Sequence, residues 1–472
     1  MKRTTKCLKQ LLFINCSLLI LQACSVSKQI AHSAKADVLD TKALQAAHVG
    51  ISIFDPAANK YLYNYQGDKY FVPASNTKLP TCYAAMKYLG DSLVGLKYMT
   101  YKGMRGTDTG MIIESTGDPT FLHPDFKKQR IYDFLKNTKL PIGIATPFFT
   151  NFAYNSGWPI GDLNENYMPP RSNFPIYGNL ISISVNKEVE KVAPDYFLKK
   201  ELVTRVYSRG KPLINREDDK NLFTIYADSS VVNYRETFPL FLNKEFPWQL
   251  IVDTLGKRID EYPKNRSGGS FKVQLDVYNH SPFMIDSFGY TSFNLVNMSK
   301  IHSQPTDSLL KPMMHNSDNF FAEQSLLMVS NEMLGVMNDE KIIDTLLKTD
   351  LKDLPQKPRW VDGSGLSRYN LFTPQDFVAI LNKMKNEFGM ERIKVILPTG
   401  GEGTISNYYK ADSGYIYGKT GTLSGVVAFS GFLYTKKGKL LIFSTLVNNH
   451  QATATEVRRA IEKFVQGIRS KY

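Results

Sequence analysis

The sequence predicts an α+β protein: an antiparallel sheet flanked by helices, built from both ends of the chain, with a large β-rich insertion between its halves. Three observations lead to that class. Alternating apolar residues mark strands near each terminus. Helical periodicity follows the strands at both ends. Two polar motifs begin at Ser75 and Ser317, 242 positions apart, far more than one strand-to-helix connection requires. At 472 residues the chain suits two to three domains of about 150 residues each. Its 43% hydrophobic and 22% charged residues are values of a globular chain with a sizeable core.

The N-terminus carries Lys2, Arg3, Lys6 and Lys9, an apolar run from Leu11 to Leu21, and then Leu21-Gln22-Ala23-Cys24. Such a run is too short to span a bilayer, which needs about 20 residues. It reads as a secretory signal over 1–23 closing on a lipobox, which makes Cys24 the diacylated first residue and its membrane anchor. The alternative is a secreted protein cut nearby, with Cys24 incidental. Ser25 after the cysteine resembles an outer-membrane destination, so the expectation is an exported bacterial lipoprotein on the periplasmic face, at the outer rather than the inner membrane. Polar residues 24–40 read as a flexible tether.

The formal charge of +14 falls to about +10 without the signal's four cations. That charge suits an anionic lipid or wall polymer, or simply lysines on solvated faces. Nucleic acid is not an expected partner, since no basic run or recognised binding motif occurs. Seven histidines without His-x-x-x-His spacing, and no paired cysteines, predict no metal site. Cys82, the one cysteine outside the first 24 residues, sits in the apolar run Cys82-Tyr83-Ala84-Ala85-Met86 and reads as a packing residue.

Val49 to Phe54 and Tyr61 to Tyr65 alternate around the turn Asp55-Pro56-Ala57-Ala58-Asn59, a hairpin, and a helix-rich stretch runs from Ser75 to Leu89-Gly90. Within the insertion, Leu96 to Asp118 reads as a hairpin around Gly106 to Gly110, with further strands at Leu180 to Val185, Leu222 to Tyr226 and Phe271 to Val277. Near the C-terminus, Tyr415 to Thr422, Val426 to Thr435 and Leu440 to Val447 are three strands, the last two joined by Lys436-Lys437-Gly438-Lys439. A helix bearing Val457, Ile461, Phe464 and Val465 follows. The expected division is a main domain of 41–95 and 290–472, with one or two β-rich inserted domains over 96–289.

Three motifs carry chemistry. In Ser75-Asn76-Thr77-Lys78, residues three apart share a helix face, so an amine can meet a hydroxyl and serve as its base if desolvation or a neighbouring cation such as Lys419 depresses its pKa. Pro80 removes a helical N–H, which calls for local 3₁₀ geometry or a kink. Ser317-Asp318-Asn319 opens an apolar-periodic run, so any of the three could be an N-cap. Alternatively, Ser317 could relay a proton while the Asn319 amide holds a substrate backbone group. Lys419-Thr420-Gly421-Thr422 lies on an edge strand. There Gly421 leaves room for an extended peptide, and a lysine with hydroxyls suits a terminal carboxylate; the plainer reading is a lysine guarding an edge. Singly each motif is weak; together, in this order and behind a signal, they point to catalysis.

The triplet resembles that of the class C low-molecular-mass penicillin-binding proteins, the D-alanyl-D-alanine carboxypeptidase/endopeptidase branch. The likeness extends to Thr116-Gly117-Asp118-Pro119-Thr120, to Asp362-Gly363-Ser364-Gly365-Leu366-Ser367-Arg368 and to Gly400-Gly401-Glu402-Gly403-Thr404, while residues from about 190 to 290 are poorly matched. Pro80, and Asn316 where lysine is common, depart from the family pattern. The resemblance implies a penicillin-binding transpeptidase-like domain. It also implies a serine hydrolase of peptidoglycan stem peptides, a carboxypeptidase and endopeptidase that β-lactams acylate and that needs no cofactor. Position by position it implies Ser75 as nucleophile, Lys78 as general base and Ser317 in proton transfer. It makes Asn319, Lys419, Thr420 and Thr422 substrate-binding, with the Ser75 and Thr422 N–H groups as oxyanion hole. The alternatives are a non-hydrolysing wall-binding scaffold, which would have no need of all five polar side chains, and a β-lactamase, which differs in how fast water reaches the acyl-enzyme. The glycine-rich stretches at 362–365 and 400–403 read as turns that give shape.

Overall fold

The structure is a computed structural model that describes residues 26–102, 109–145, 153–217, 220–242, 246–257, 259–260, 272–275, 282–285 and 298–472. The signal, Cys24, residues 106–108 of the turn expected over Gly106 to Gly110 and parts of the Phe271 to Val277 strand lie outside the described residues.

Both chain ends build one five-stranded antiparallel sheet. Its strands are β1 (His48–Asp55), β2 (Lys60–Tyr65), β3 (Ile416–Leu423), β4 (Val426–Tyr434) and β5 (Leu440–Asn448), in the order β3-β4-β5-β1-β2. The first and last strands meet inside the sheet, from His48 opposite Asn448 to Phe54 opposite Ile442. Helices cover both faces, so β4 and β5 read as near-continuous apolar runs. One face, with Phe54, Ala428, Phe432, Ile442 and Leu446, packs on α1 (Lys78–Tyr88), α2 (Thr306–His315), α3 (Asn319–Leu334) and α4 (Pro374–Ile396). The other face, with Ile51, Ile53, Phe429 and Phe443, packs on α5 (Ala454–Lys471).

Two readings of the chain are corrected here. Residues 26–34 are helical, not a loose tether: Ile30, Ala34 and Val38 recur every four positions, are buried, and join the core beneath α5. Lys463 pairs with Asp37 at 2.9 Å across the same contact. The inserted segment is also wider than 96–289. Ser92–Lys102 and Ser299–Pro305 pair antiparallel at the edge of a second five-stranded sheet, so hydrogen bonding draws the seam outside those limits. The sequence Ser-Lys-Ile-His-Ser-Gln-Pro has little apolar alternation, and only its pairing reveals it as a strand. Two three-stranded sheets complete a separate apolar core built around Ile181, Ile183, Phe197, Phe223 and Ile225.

Candidate active site

The Ser75 turn is built where three elements converge. Phe71 bridges to Phe372, and the Asn448 amide both accepts from Val72 N–H at 2.7 Å and donates to its carbonyl at 3.0 Å. Residues Ala74–Thr77 then form a 3₁₀ turn and α1 begins at Lys78. Pro80 is thereby the third residue of α1, where its missing N–H would have had no helical acceptor. Ala74 takes a φ of 48°, in the left-handed region that non-glycine residues rarely adopt. The turn is held by Thr77 Oγ1, which donates to Ala74 O at 2.9 Å, and by buried Asn76, which donates to Ser430 Oγ on β4 at 2.7 Å; Ser430 in turn meets Ser444 on β5 at 2.8 Å. The motif reading missed this anchor, because Ser430 and Ser444 look like interruptions in apolar strands.

Gly421 needs its missing side chain for a reason other than the one expected. A Cβ there would lie 2.6 Å from Pro73 O and 3.0 Å from Ser75 N. The room belongs to the Ser75 turn, whose backbone it lets β3 approach, rather than to a peptide alongside.

Lys78 is fully buried, while Ser75 is half-buried and reachable. Its Nζ lies 3.1 Å from Ser75 Oγ, 2.6 Å from Asn319 Oδ1 and 2.8 Å from the Ser364 carbonyl. The last two can only accept. A neutral amine has two N–H donors and one lone pair, so the acceptors use both hydrogens and leave the lone pair for the Ser75 hydroxyl. Burial lowers the Lys78 pKa to about 8, against the opposing charges of Asp362, Asp318 and Glu323.

The helix start at α3 shows which of the three residues caps it. Asp318 is the N-cap, accepting from Phe321 N–H at 2.8 Å. Ser317, at a φ of 59°, and Asn319 are left to face the two lysines. Lys419, also fully buried, donates to Ser317 Oγ at 2.9 Å and to Thr420 O at 2.7 Å. Burial, then the charge of Lys78, then that of Arg458, holds its pKa well below the usual lysine value. Asn319 Nδ2 donates to Tyr167 O at 2.9 Å, which brings the inserted segment to the rim.

β3 is the edge of the sheet. Gly418 N–H donates outward to Pro398 O at 3.2 Å, so by strand alternation the main-chain groups of Thr420 and Thr422 also point outward. Thr420 Oγ1 donates to Thr404 Oγ1 at 2.7 Å, and Arg458 donates to Thr422 Oγ1 at 2.6 Å.

The 362–365 loop does more than turn the chain, since its Ser364 carbonyl is one of the two acceptors on Lys78. Asp362 organises the loop by accepting from Gly365 N–H and Ser367 N–H at 2.7 Å each, from Asn370 Nδ2 at 2.7 Å and from Trp158 Nε1 at 2.9 Å. Glu323 accepts from Ser364 N–H at 2.8 Å; burial, then the charge of Asp362, raises its pKa to about 7. Gly365 has a φ of 82°, and a Cβ there would lie 1.9 Å from Ala74 O. Gly365→Ala is therefore expected to cost at least about 3 kcal/mol, by combining left-handed strain with a backbone clash. Urea unfolding alongside penicillin acylation checks this; a variant within 1 kcal/mol of the parent, roughly the ordinary scatter, would show that loop and turn are not locked together.

A reachable serine hydroxyl set on a buried lysine, at the edge of a helix-flanked antiparallel sheet, places the chain among the penicillin-binding serine peptidases. Within that class it belongs to the D-Ala-D-Ala carboxypeptidase 3 (S13) family, whose family model matches residues 31–469. It is 26% identical over 460 residues to a D-alanyl-D-alanine carboxypeptidase of Actinomadura sp. (strain R39), covering 88% of this chain and 80% of that one. It is 23% identical over 492 residues to the D-alanyl-D-alanine carboxypeptidase DacB of Haemophilus influenzae, covering 95% of each. The fold is similar to the crystal structure of penicillin binding protein 4 (dacB) from Haemophilus influenzae, with a TM-score of 0.66 at 20% identity over 93% of this chain and 98% of that one.

Proposed function

We propose that this protein is a serine DD-peptidase that forms an acyl-enzyme on Ser75, releases terminal D-alanine from peptidoglycan stem peptides, cleaves D-Ala cross-links, and is acylated at the same serine by β-lactams. The observation that carries the reading is the environment of Lys78 Nζ: two acceptors on its hydrogens and Ser75 Oγ at 3.1 Å.

In this reading neutral Lys78 takes the Ser75 proton as Oγ attacks the penultimate D-Ala carbonyl. The Ser75 and Thr422 N–H groups receive the developing oxyanion. Ser317, resupplied from Lys419, protonates the departing amine, and Asn319 holds the peptide through an amide contact. Lys419, Thr420 and Thr422 take the terminal carboxylate. Water then attacks the acyl-enzyme by the same route in reverse. Lipid anchoring through Cys24, on the periplasmic face of the outer membrane, belongs to the proposal and is supported by residues 1–25; the intact mass of the mature chain checks it.

The test is incubation with a fluorescent penicillin, mapping of the adduct by peptide mass spectrometry, and assay of D-alanine release from a stem pentapeptide. A lasting adduct on the Ser75 peptide together with D-alanine release supports the reading. A well-folded protein that takes no label would make it a scaffold, and rapid loss of label would make it a β-lactamase.

The pH dependence follows from the base. Lys78 acts only when neutral, and burial lowers its pKa to about 8, so acylation is expected to rise about tenfold per pH unit below that value, and to fall again at alkaline pH once Lys419 loses the proton that it supplies. Stopped-flow acylation between pH 6 and 10 reads this limb; a rate independent of pH across 7 to 9 would contradict lysine as the base.

A further inference from the structure

We propose that Arg458 is a substrate-binding residue whose guanidinium takes the terminal carboxylate of the peptide together with Thr420 and Thr422, a role that none of the three motifs assigns. The inference rests on the DD-peptidase reading and deepens it.

The geometry starts from α5. Val457 and Ile461 are buried against the sheet, which fixes the first turns of the helix and sets Arg458, between them, beside the free edge of β3. From there Arg458 Nη2 donates to the hydroxyl of Thr422 at 2.6 Å. Arg458 and Thr420 line one narrow cleft with Thr404 and Tyr408, and the guanidinium carbon lies 6.0 Å from the Tyr408 ring centroid.

The charge around Arg458 is one-sided. Other arginines of α5 have acids: Arg459 pairs with Glu462 at 2.5 Å and Arg469 with Asp412 at 2.7 Å. Among the described residues no carboxylate lies within 4.0 Å of Arg458, which meets a neutral hydroxyl instead. The acids of the site, Asp318, Glu323 and Asp362, act on Lys78, whereas Lys419 feels the cations Lys78 and Arg458. The edge of β3 at Thr420 and Thr422 therefore gathers positive charge without a counter-ion. A guanidinium presents five donors in a planar fork suited to two carboxylate oxygens, so a carboxylate beside Thr422 supplies both the missing charge and the missing acceptors.

The experiment uses the full mature chain and two acylated tripeptides ending in D-Ala-D-Ala, one with a free carboxylate and one with a C-terminal carboxamide. Arg458→Gln is expected to lower kcat/KM for the free acid by about 10- to 100-fold and to leave the carboxamide nearly unchanged, so that discrimination collapses. Arg458→Lys, which keeps the charge but not the fork, is expected to fall between. Equal losses on both substrates would reduce Arg458 to a structural support for Thr422, and no loss on either would remove it from the site; both results overturn the inference while leaving the acyl-enzyme reading intact. A parent protein that takes no penicillin label and releases no D-alanine sinks the underlying reading, and the inference with it. Should Arg458→Gln fail to fold, the lysine variant decides by the same ratio of substrates.

Discussion

Ser75→Ala is expected to abolish penicillin labelling and to cut D-alanine release by about 10⁶-fold, leaving only the rate that binding and the oxyanion hole supply. The hydroxyl is the one group that Lys78 Nζ can reach through a lone pair, since the other two contacts of the amine are acceptors. No other serine in the cluster has that position: Ser317 Oγ is 2.9 Å from Lys419, whose amine also donates to Thr420 O. The substitution leaves the rest of the site in place. Ser75 is half-buried and, among the described residues, its Oγ hydrogen-bonds with Lys78, so stability is expected to stay within about 0.5 kcal/mol of the parent. Peptide binding, read by calorimetry with the stem pentapeptide, is expected to persist. Label that survives the substitution, mapped to Ser317 or elsewhere, would overturn the assignment.

Lys78→Met is expected to slow acylation by about 10²- to 10⁴-fold, the usual worth of a positioned general base, while the protein still folds. Two opposed effects set its stability. The folded pKa, about 8, lies below the 10.5 of an exposed lysine, so the unfolded chain holds the proton more tightly. Burying the ammonium thus costs on the order of 3 kcal/mol, in full below about pH 8, and the cost fades as the pH rises toward 10.5. Methionine removes that cost but leaves Asn319 Oδ1 and the Ser364 carbonyl without their donor, at about 1–3 kcal/mol each. The net change near neutral pH is small. The parent is expected to gain stability between pH 8 and 10 relative to the variant, which urea unfolding at the two pH values reads. Because Ser75 and Lys78 act as one unit, the double variant is expected to be no slower than Ser75→Ala alone. A further loss in the double variant would mean that Lys78 acts on something other than Ser75.

The groups of the candidate site were legible because their chemistry resides in side chains at fixed spacing. Ser75 and Lys78 lie three apart, Ser317 and Asn319 two apart, and the structure brings Lys78 to Asn319 and Lys419 to Ser317 across more than 100 positions of chain. The doubt over capping at 317–319 could not be settled along the chain, because serine, aspartate and asparagine all cap well; it needed the Asp318 to Phe321 hydrogen bond. The Ser364 acceptor was invisible for a different reason, since every residue has a carbonyl and nothing in Asp-Gly-Ser-Gly says which one meets an amine. The same holds for Asn76, whose side chain reads as a polar residue within a motif until Ser430 is seen beneath it.

Periodicity along the chain was enough for the strands at both termini and for the helix carrying Val457, Ile461 and Phe464, because each is apolar on a face that repeats over a few residues. The helix at 26–34 and the strand Ser299–Pro305 escaped that logic. The first shows its apolar stripe only against α5, and the second is defined by main-chain pairing with Ser92–Lys102. Residue order thus specified which groups this protein possesses and which faces are apolar. Which hydroxyl meets which amine, where Gly421 and Gly365 let backbones touch, and why Lys78 loses its proton near pH 8 followed from bringing distant segments together and expelling water between them, for desolvation and close approach exist only once the chain has folded.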